Sequence, residues 1–185
     1  MAVTPGLRFV NHVGPFLYRP GERQLAARLF ELLGCRVADS GGKYLGVRVR
    51  PEDAGGEDPT PFIMFATQAT PEQLEFDAAL SAALDGRLAR SYAKYRELLD
   101  ARPQESVHFA IRIESPEALE DTLEGIRMVT DPTLAGRVSV VRTVRRGDPD
   151  YLAGLVQAYV RTDVVTLGPL ALGQHFELQA ELLTP

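Results

Sequence analysis

Four side chains able to bind a metal or move a proton lie in short strand-like stretches of the chain. They are His12, His108, His175 and Glu177. Imidazole and carboxylate groups ligate divalent ions, and imidazole exchanges protons near neutral pH. A histidine on a single strand is more often a hydrogen-bonded structural residue. Here, however, the interval from His12 to Pro20 equals the interval from His108 to Pro116, which favours a functional pair.

The matched intervals belong to an internal repeat that has to position these side chains. Each copy contains a short apolar strand with its histidine, a turn ending in proline, and an amphipathic helix. Three strand-like stretches follow each helix; they are CRVADS, KYLGVRVR and PFIMFATQ, then RVSVVRTVRR, LVQAYVRTDVV and QHFELQAELL. The sequence therefore predicts an α+β protein in which a βαβββ unit occurs twice.

Strand alternation predicts which of the polar residues share a face. His12 should share a face with Val10, Gly14 and Phe16, and His108 with Ala110 and Arg112. Glu177 should share a face with His175 and Gln179. The helices must cover the apolar faces, so we expect the histidines and the glutamate on the opposite side. That side is either exposed to solvent or the inside of a curved sheet.

A helical insert is predicted between the two repeats, over residues 70–103. Apolar residues recur at helical spacing, and Asp85-Gly86 is expected to divide the segment into two helices. The residues of this stripe are Phe76, Leu80, Leu84, Leu88, Tyr92, Tyr95 and Leu99. The pattern is typical of a connector packed on the domain edge, and it leaves open a dimer contact or a lid.

The paired βαβββ units, the histidines at equivalent points of both first strands and the glutamate in HFELQ resemble the vicinal oxygen chelate superfamily. This superfamily includes glyoxalase I, extradiol dioxygenases, methylmalonyl-CoA epimerase, fosfomycin-resistance enzymes and bleomycin-binding proteins. The resemblance covers nearly the whole chain except the insert. It implies one domain, with module one over 7–69, the insert over 70–103 and module two over 104–183. It also implies that the strands form a curved mixed sheet, a cup around a divalent metal.

The resemblance further implies that His12, His108 and Glu177 are the metal ligands. Setting PFIMFATQ beside QHFELQAE places Met64 opposite Glu177, where glyoxalase I has a fourth ligand. A thioether is a poor partner for hard ions, so that ligand is expected to be absent unless a shift of register brings Gln68 in. His175 is the expected catalytic residue, as an acid or base, with a supporting or surface role left open.

Two imidazoles and one carboxylate form the facial ligand set that leaves sites for substrate and O₂ on Fe(II). We therefore expect Fe(II) or Mn(II), with Zn, Ni or Co left open, and a dioxygenase acting on a small molecule with adjacent oxygens. The alternatives are an isomerase, lyase or transferase like glyoxalase, the epimerase or the fosfomycin-resistance enzymes, and a non-catalytic bleomycin-binding type of protein. Four residues either line the cup to meet an anionic substrate or are exposed on strands; they are Arg48, Arg142, Tyr159 and Arg161.

The composition of the chain limits the kinds of partner that the protein is expected to bind. The net charge is -5 and no run of Lys or Arg stands out, so nucleic acid is not expected. No apolar stretch approaches the about 20 residues that span a bilayer, and no secretory signal is evident, so we expect no membrane partner. Cys35 is the only cysteine, which fits a reducing cytoplasm and a buried structural thiol better than a nucleophile. A homodimer is left open.

Overall fold

The computed structural model of the chain describes residues 12–49 and 63–182. Within them the first half contains β1 (Phe16–Tyr18), α1 (Arg23–Leu32), β2 (Arg36–Ala38), β3 (Tyr44–Arg48) and β4 (Ile63–Gln68). The insert forms α2 (Pro71–Asp85) and α3 (Ala89–Ala101), followed by a 3-10 turn at Pro103–Glu105. The second half contains β5 (His108–Arg112), α4 (Pro116–Arg127), β6 (Val138–Val144), β7 (Leu155–Thr162) and β8 (Gln174–Glu181), with a 3-10 turn at Leu170–Leu172 before β8.

Each half forms a four-stranded mixed sheet with the same connectivity. The strand orders are β1-β4-β3-β2 and β5-β8-β7-β6, and in each sheet the first strand runs parallel to the last. The remaining neighbours are antiparallel. The predicted α+β class is confirmed, and the two sheets are compatible with a fold of two repeated modules.

The helix that follows each first strand is amphipathic and packs on one face of its sheet. In α1 the buried apolar positions include Leu25, Leu29 and Phe30, and Gly34 follows with a φ of 83°. A glycine adopts that left-handed conformation without strain, which explains why the helix ends there. In α4 the Ser115 hydroxyl accepts a hydrogen bond from the Ala118 amide at 3.1 Å, so the helix begins at Pro116.

The two halves share one apolar core. The ring of Phe16 in β1 stacks on Phe176 in β8 with centroids 5.5 Å apart, and Phe30 of α1 meets both rings edge to face. The backbone also joins the halves, because the Leu17 amide donates to the Thr166 carbonyl at 2.7 Å and the Thr166 amide donates back at 3.1 Å. The halves therefore pack as one body, with α1 and α4 on the same side.

The insert folds as two helices, as the sequence predicts, and both lie against the second half of the chain. A capping box between Thr70 and Gln73 begins α2, which ends at Asp85, before Gly86. Asp77 of α2 accepts a hydrogen bond from the Ala171 amide at 2.7 Å, and Asp100 of α3 pairs with Arg161 of β7 at 3.0 Å. Part of the predicted apolar stripe stays exposed, with Phe76 62% and Tyr95 47% accessible.

Two further expectations concern the whole chain. Burial raises the pKa of the Cys35 thiol to about 12, so this cysteine is a poor nucleophile and fits the structural interpretation. Among the described residues, no helix combines the length and apolar character needed to cross a bilayer.

Candidate functional site

The polar face of the second sheet gathers side chains from three neighbouring strands. β8 lies between β5 and β7, so each of its residues has a partner on both sides. Glu177 pairs with Ala110 of β5 and with Tyr159 of β7. His175 pairs with His108 and Arg161 in the same way. Since partners in register point to the same face, these side chains lie together on the side away from the shared core.

At the centre of this face, an imidazole and a carboxylate converge. Nε2 of His108 lies 3.1 Å from Oε2 of Glu177, and the Glu177 side chain is only 8% exposed. On the other side of the ring, Nδ1 of His108 lies 2.9 Å from the Ser106 carbonyl oxygen. A carbonyl can only accept, so Nδ1 carries the proton of that bond. The lone pair of a neutral His108 is then directed at a carboxylate oxygen, and a proton or a metal ion between them would relieve the repulsion.

The second carboxylate oxygen of Glu177 is held by the neighbouring strand. Nε2 of Gln157 donates to Oε1 of Glu177 at 2.5 Å and approaches the Tyr159 hydroxyl at 3.4 Å. Burial, and then the nearby charge of Glu177, raise the pKa of Tyr159 to about 12. Tyr159 is therefore a neutral phenol beside the carboxylate, and its ring lies edge-on to His108 with centroids 5.9 Å apart.

His175 lies beside His108 on the same face and is 6% exposed. Its Nε2 atom is buried and has no hydrogen-bond partner among the described residues. Burial, and then the positive charge of Arg161, lower its pKa. His175 is therefore a neutral imidazole that lies enclosed beside His108 on the polar face.

His12 lies on the first sheet, apart from this cluster. It forms an isolated bridge with Ile63, and its ring meets Phe65 edge to face with centroids 6.0 Å apart. The expectation that it shares a face with Phe16 is wrong. His12 is aligned with Ile63 but Phe16 is aligned with Ala66, so the two side chains point to opposite faces. Phe16 enters the core, whereas His12 is exposed on the side away from it.

The predicted position of Met64 is also wrong. Met64 pairs with Val47 of β3, and both are fully buried on the core face. Glu177 lies two residues beyond the partner of His108, and the residue two beyond the partner of His12 is Phe65. Phe65 thus takes the position in the first half that Glu177 has in the second. Gln68 follows the alternation of Met64 and does not face His12 either.

Two of the three arginines predicted near the cup, Arg142 and Arg161, have carboxylate partners. Arg142 of β6 pairs with Asp148 at 3.0 Å and with Asp150 at 2.7 Å, and it also donates to the Ala101 carbonyl at 2.8 Å. Arg161 pairs with Asp100 of α3. Arg48 is half-buried on the face of the first sheet that holds His12. Neither Arg142 nor Arg161 offers an unneutralised charge to an anionic substrate.

The donor set of His108 and Glu177 fits a divalent ion. Two ligands at about 2.1 Å and at right angles on one ion lie about 3.0 Å apart, close to the observed 3.1 Å. The Ser106 carbonyl fixes the tautomer that leaves Nε2 to the ion, and Gln157 orients the carboxylate. Within residues 12–49 and 63–182, however, no group of three or more His, Cys, Asp or Glu side chains is close enough to hold a metal.

No family model matches the chain, and neither does any curated protein or solved structure with which it was compared. The relation to vicinal oxygen chelate proteins remains a resemblance of pattern. What the protein does must therefore be inferred from the side chains of the polar face. Of these, Gln157 was missed at the sequence level, although its alternation with Tyr159 in LVQAYVRT is a signal that places both on one face.

Proposed function

We propose that this chain is a metal-dependent enzyme of the vicinal oxygen chelate type, which binds one divalent ion through His108, Glu177 and His12. The observation that carries the proposal is the 3.1 Å approach of Nε2 of His108 to Oε2 of Glu177, with the other nitrogen of the ring donating to Ser106. This arrangement presents two lone pairs to one point in a mostly buried setting. A cation there offsets the cost of burying the carboxylate.

The third ligand of the proposal is His12, which would have to approach the pair, because no group of three metal-binding side chains is assembled among the described residues. It projects from the first sheet on the side away from the core, as His108 does from the second sheet. Phe65 takes the place where a second carboxylate would complete a four-ligand set, so the chain offers three protein ligands. Three ligands leave open positions, which favours a dioxygenase over an isomerase, lyase or transferase.

The bound Fe(II) or Mn(II) would polarise a small substrate through adjacent oxygens and, in the oxygenase reaction, engage O₂. The chain itself supplies the groups that orient and move protons. Gln157 holds the carboxylate of Glu177, and Tyr159 stays a neutral hydrogen-bond donor. His175 is neutral and has a buried nitrogen without a partner, so it is the proposed catalytic base for a substrate hydroxyl.

A second candidate is a metal-independent binding protein that uses the same polar face without catalysis. It is supported by one observation: the described residues contain no assembled group of three metal-binding side chains. In that case a proton would lie between Nε2 of His108 and Oε2 of Glu177, and the two side chains would form a hydrogen bond.

The experiment is anaerobic titration of chelator-treated protein with Fe(II) or Mn(II), with elemental analysis of the stoichiometry. We expect about one ion per chain, at least about 100-fold weaker binding in His108→Ala and Glu177→Ala, and a smaller loss in His12→Ala. Glu181→Gln, which alters an exposed carboxylate at the end of β8, is the matched control. Stoichiometric binding that survives in both His108→Ala and Glu177→Ala would exclude this site.

A turnover assay then separates the reaction classes. Catechol added anaerobically to the Fe(II) protein should perturb the spectrum of the metal, and air should then consume O₂ and catechol together. Turnover that proceeds equally without O₂ would favour an isomerase, lyase or transferase. Tight ligand binding that is independent of metal and without turnover would favour the binding protein.

A further inference from the structure

A cleft of about 330 Å³ opens at one end of the polar face, between the end of β6, the hairpin that leads into β7, and β7 itself. Its walls are apolar where Val144, Pro149 and Leu152 line it. Its polar lining includes Asp150, Gln157 and Tyr159. Ligand pockets span about 300–1,000 Å³, so this one suits a single ring or a short chain.

The cleft adjoins the pair formed by His108 and Glu177. Gln157 lines the cleft and donates to Oε1 of Glu177, so the same amide borders both. Tyr159 also lines the cleft, and its ring lies against His108. Gln157 and Tyr159 thus connect the cleft to the pair, and the proposed function would place the reacting end of a molecule at His108 and Glu177 and its remaining atoms in the cleft.

Hydrogen-bond acceptors and negative charge predominate around the cleft. Asp148 and Asp150 contribute two carboxylates, and within the described part of the chain both pair with the same cation, Arg142. Gln104, which also lines the cleft, donates through Nε2 to Asp150 at 3.2 Å. That bond fixes the orientation of the amide, because the reverse orientation would place its oxygen against a carboxylate. Oε1 of Gln104 is thus a buried acceptor, and no donor reaches it among the described residues.

We propose that this cleft holds the non-reacting part of the substrate and selects an apolar group that ends in a cation or a neutral hydrogen-bond donor. A carboxylate at that end is disfavoured, since Arg142 is already shared by two aspartates and cannot offer an unneutralised charge. The placement of the reacting end rests on the proposed function. The charge preference of the cleft depends only on its own residues.

The test uses catechols whose four-position tails have similar length and different charge, bound anaerobically to the Mn(II) protein and followed by calorimetry. The probes are catechol, 4-propylcatechol, dopamine and 3-(3,4-dihydroxyphenyl)propanoate. We expect 4-propylcatechol and dopamine to bind more tightly than catechol. Dopamine should exceed the propanoate by at least about fivefold, as expected for one partly exposed charge.

Two variants test whether the residues of the cleft cause the preference for the amine and for the apolar tail. Asp150→Asn removes one of the two aspartate charges and should abolish the preference for dopamine over the propanoate. Leu152→Ala should reduce the advantage of the propyl tail while leaving catechol itself unchanged, and Leu152 is exposed enough that folding is not at risk. Glu124→Gln, on the exposed side of α4, is the charge-matched control and should change neither quantity.

Equal affinity for dopamine and the propanoate, or an unchanged preference in Asp150→Asn, would overturn the cleft proposal, and so would a failure of the protein to bind any probe with metal or without it. Phenethylamine and 3-phenylpropanoate, measured on metal-free protein, distinguish its failure from that of the proposed function. A preference for the amine that persists there supports the cleft even when no metal binds. One-to-one metal binding without any preference would support the metal site and reject the cleft.

Discussion

The amide of Gln157 donates to Oε1 of Glu177 from the neighbouring strand at 2.5 Å, and both side chains are buried. The two residues are diagonal neighbours on the polar face, because Tyr159 is the direct partner of Glu177 and Gln157 lies two residues before it. One amide therefore satisfies a carboxylate oxygen that has little access to water and also fixes the direction of the other oxygen, Oε2, toward His108.

We predict that Gln157→Leu weakens metal binding by about 10- to 100-fold and lowers the free energy of unfolding by about 1–3 kcal/mol. The cause is a buried carboxylate oxygen that loses its donor. Gln179→Leu is the matched control, since Gln179 is the direct partner of Gln157 in β8 and has no part in holding Glu177. Metal titration and urea unfolding measure the two effects, and equal losses in both variants would contradict the assigned role.

The raised pKa of Tyr159 predicts how stability changes with alkaline pH. The folded protein holds this proton up to about pH 12, whereas the unfolded chain releases it near pH 10. The stabilising contribution is therefore complete below about pH 10 and is lost as pH rises from 10 to 12. Relative to Tyr159→Phe, the wild type should lose up to about 1.4 kcal/mol per pH unit above pH 10.

Urea unfolding of wild type and Tyr159→Phe between pH 8 and pH 11 measures this difference. The other tyrosines are common to both proteins, so their ionisation cancels in the comparison. Parallel profiles across the whole range would show that Tyr159 ionises like an exposed phenol.

The register of β4 predicts opposite outcomes for two adjacent substitutions. Met64→Glu puts a carboxylate into the fully buried core beside Val47, and we expect a loss of more than about 3 kcal/mol in the free energy of unfolding. Phe65→Glu puts the same group on the half-buried face with His12, at a cost of about 1 kcal/mol. Urea unfolding of both variants tests the alternation, and the reverse order of stability would mean that the strand is shifted by one residue.

The insert is held to the second half by a few polar contacts, which predicts that it can be loosened separately. Asp77→Ala with Asp100→Asn removes the acceptor for the Ala171 amide and the partner of Arg161. Amide hydrogen exchange in α2 and α3 should then accelerate by at least about fivefold, while β7 and β8 stay protected.

Asp121→Asn, on an exposed position of α4, provides the control for that experiment. Exchange that is unchanged in the double variant would mean that these contacts do not hold the helices. Protection of α2 and α3 that falls on dilution of the wild type would instead identify the exposed surface around Phe76 and Tyr95 as a contact between two chains.

Much of the fold was predictable because the repeat and the periodicity are local properties of the sequence. The helices were expected from the apolar stripes, and the face shared by His175 and Glu177 followed from simple alternation. The approach of His108 to Glu177 agrees with the predicted repeat, since β5 and β8 are the first and last strands of one βαβββ unit and lie side by side.

The register of the first sheet was not predictable to within one residue, and a shift of one residue moves every side chain of a strand to the opposite face of the sheet. One residue of register decides whether Met64 or Phe65 takes the position that corresponds to Glu177, and whether His12 shares a face with Phe16. The pairing of Arg161 with Asp100 could not be predicted either. It depends on where α3 lies across the sheet, which the helical stripe does not specify.

The backbone pairing of Leu17 with Thr166 bears on how the protein is made. β1 is an edge strand of its own sheet, and the partner for its open edge comes from the far end of the chain. During synthesis, the edge of β1 therefore stays unpaired until Thr166 has left the ribosome. Phe16 likewise stays uncovered by Phe176 until β8 has been made. A fragment that stops before β7 lacks Thr166, so it would keep that edge open and would be prone to pair with other chains.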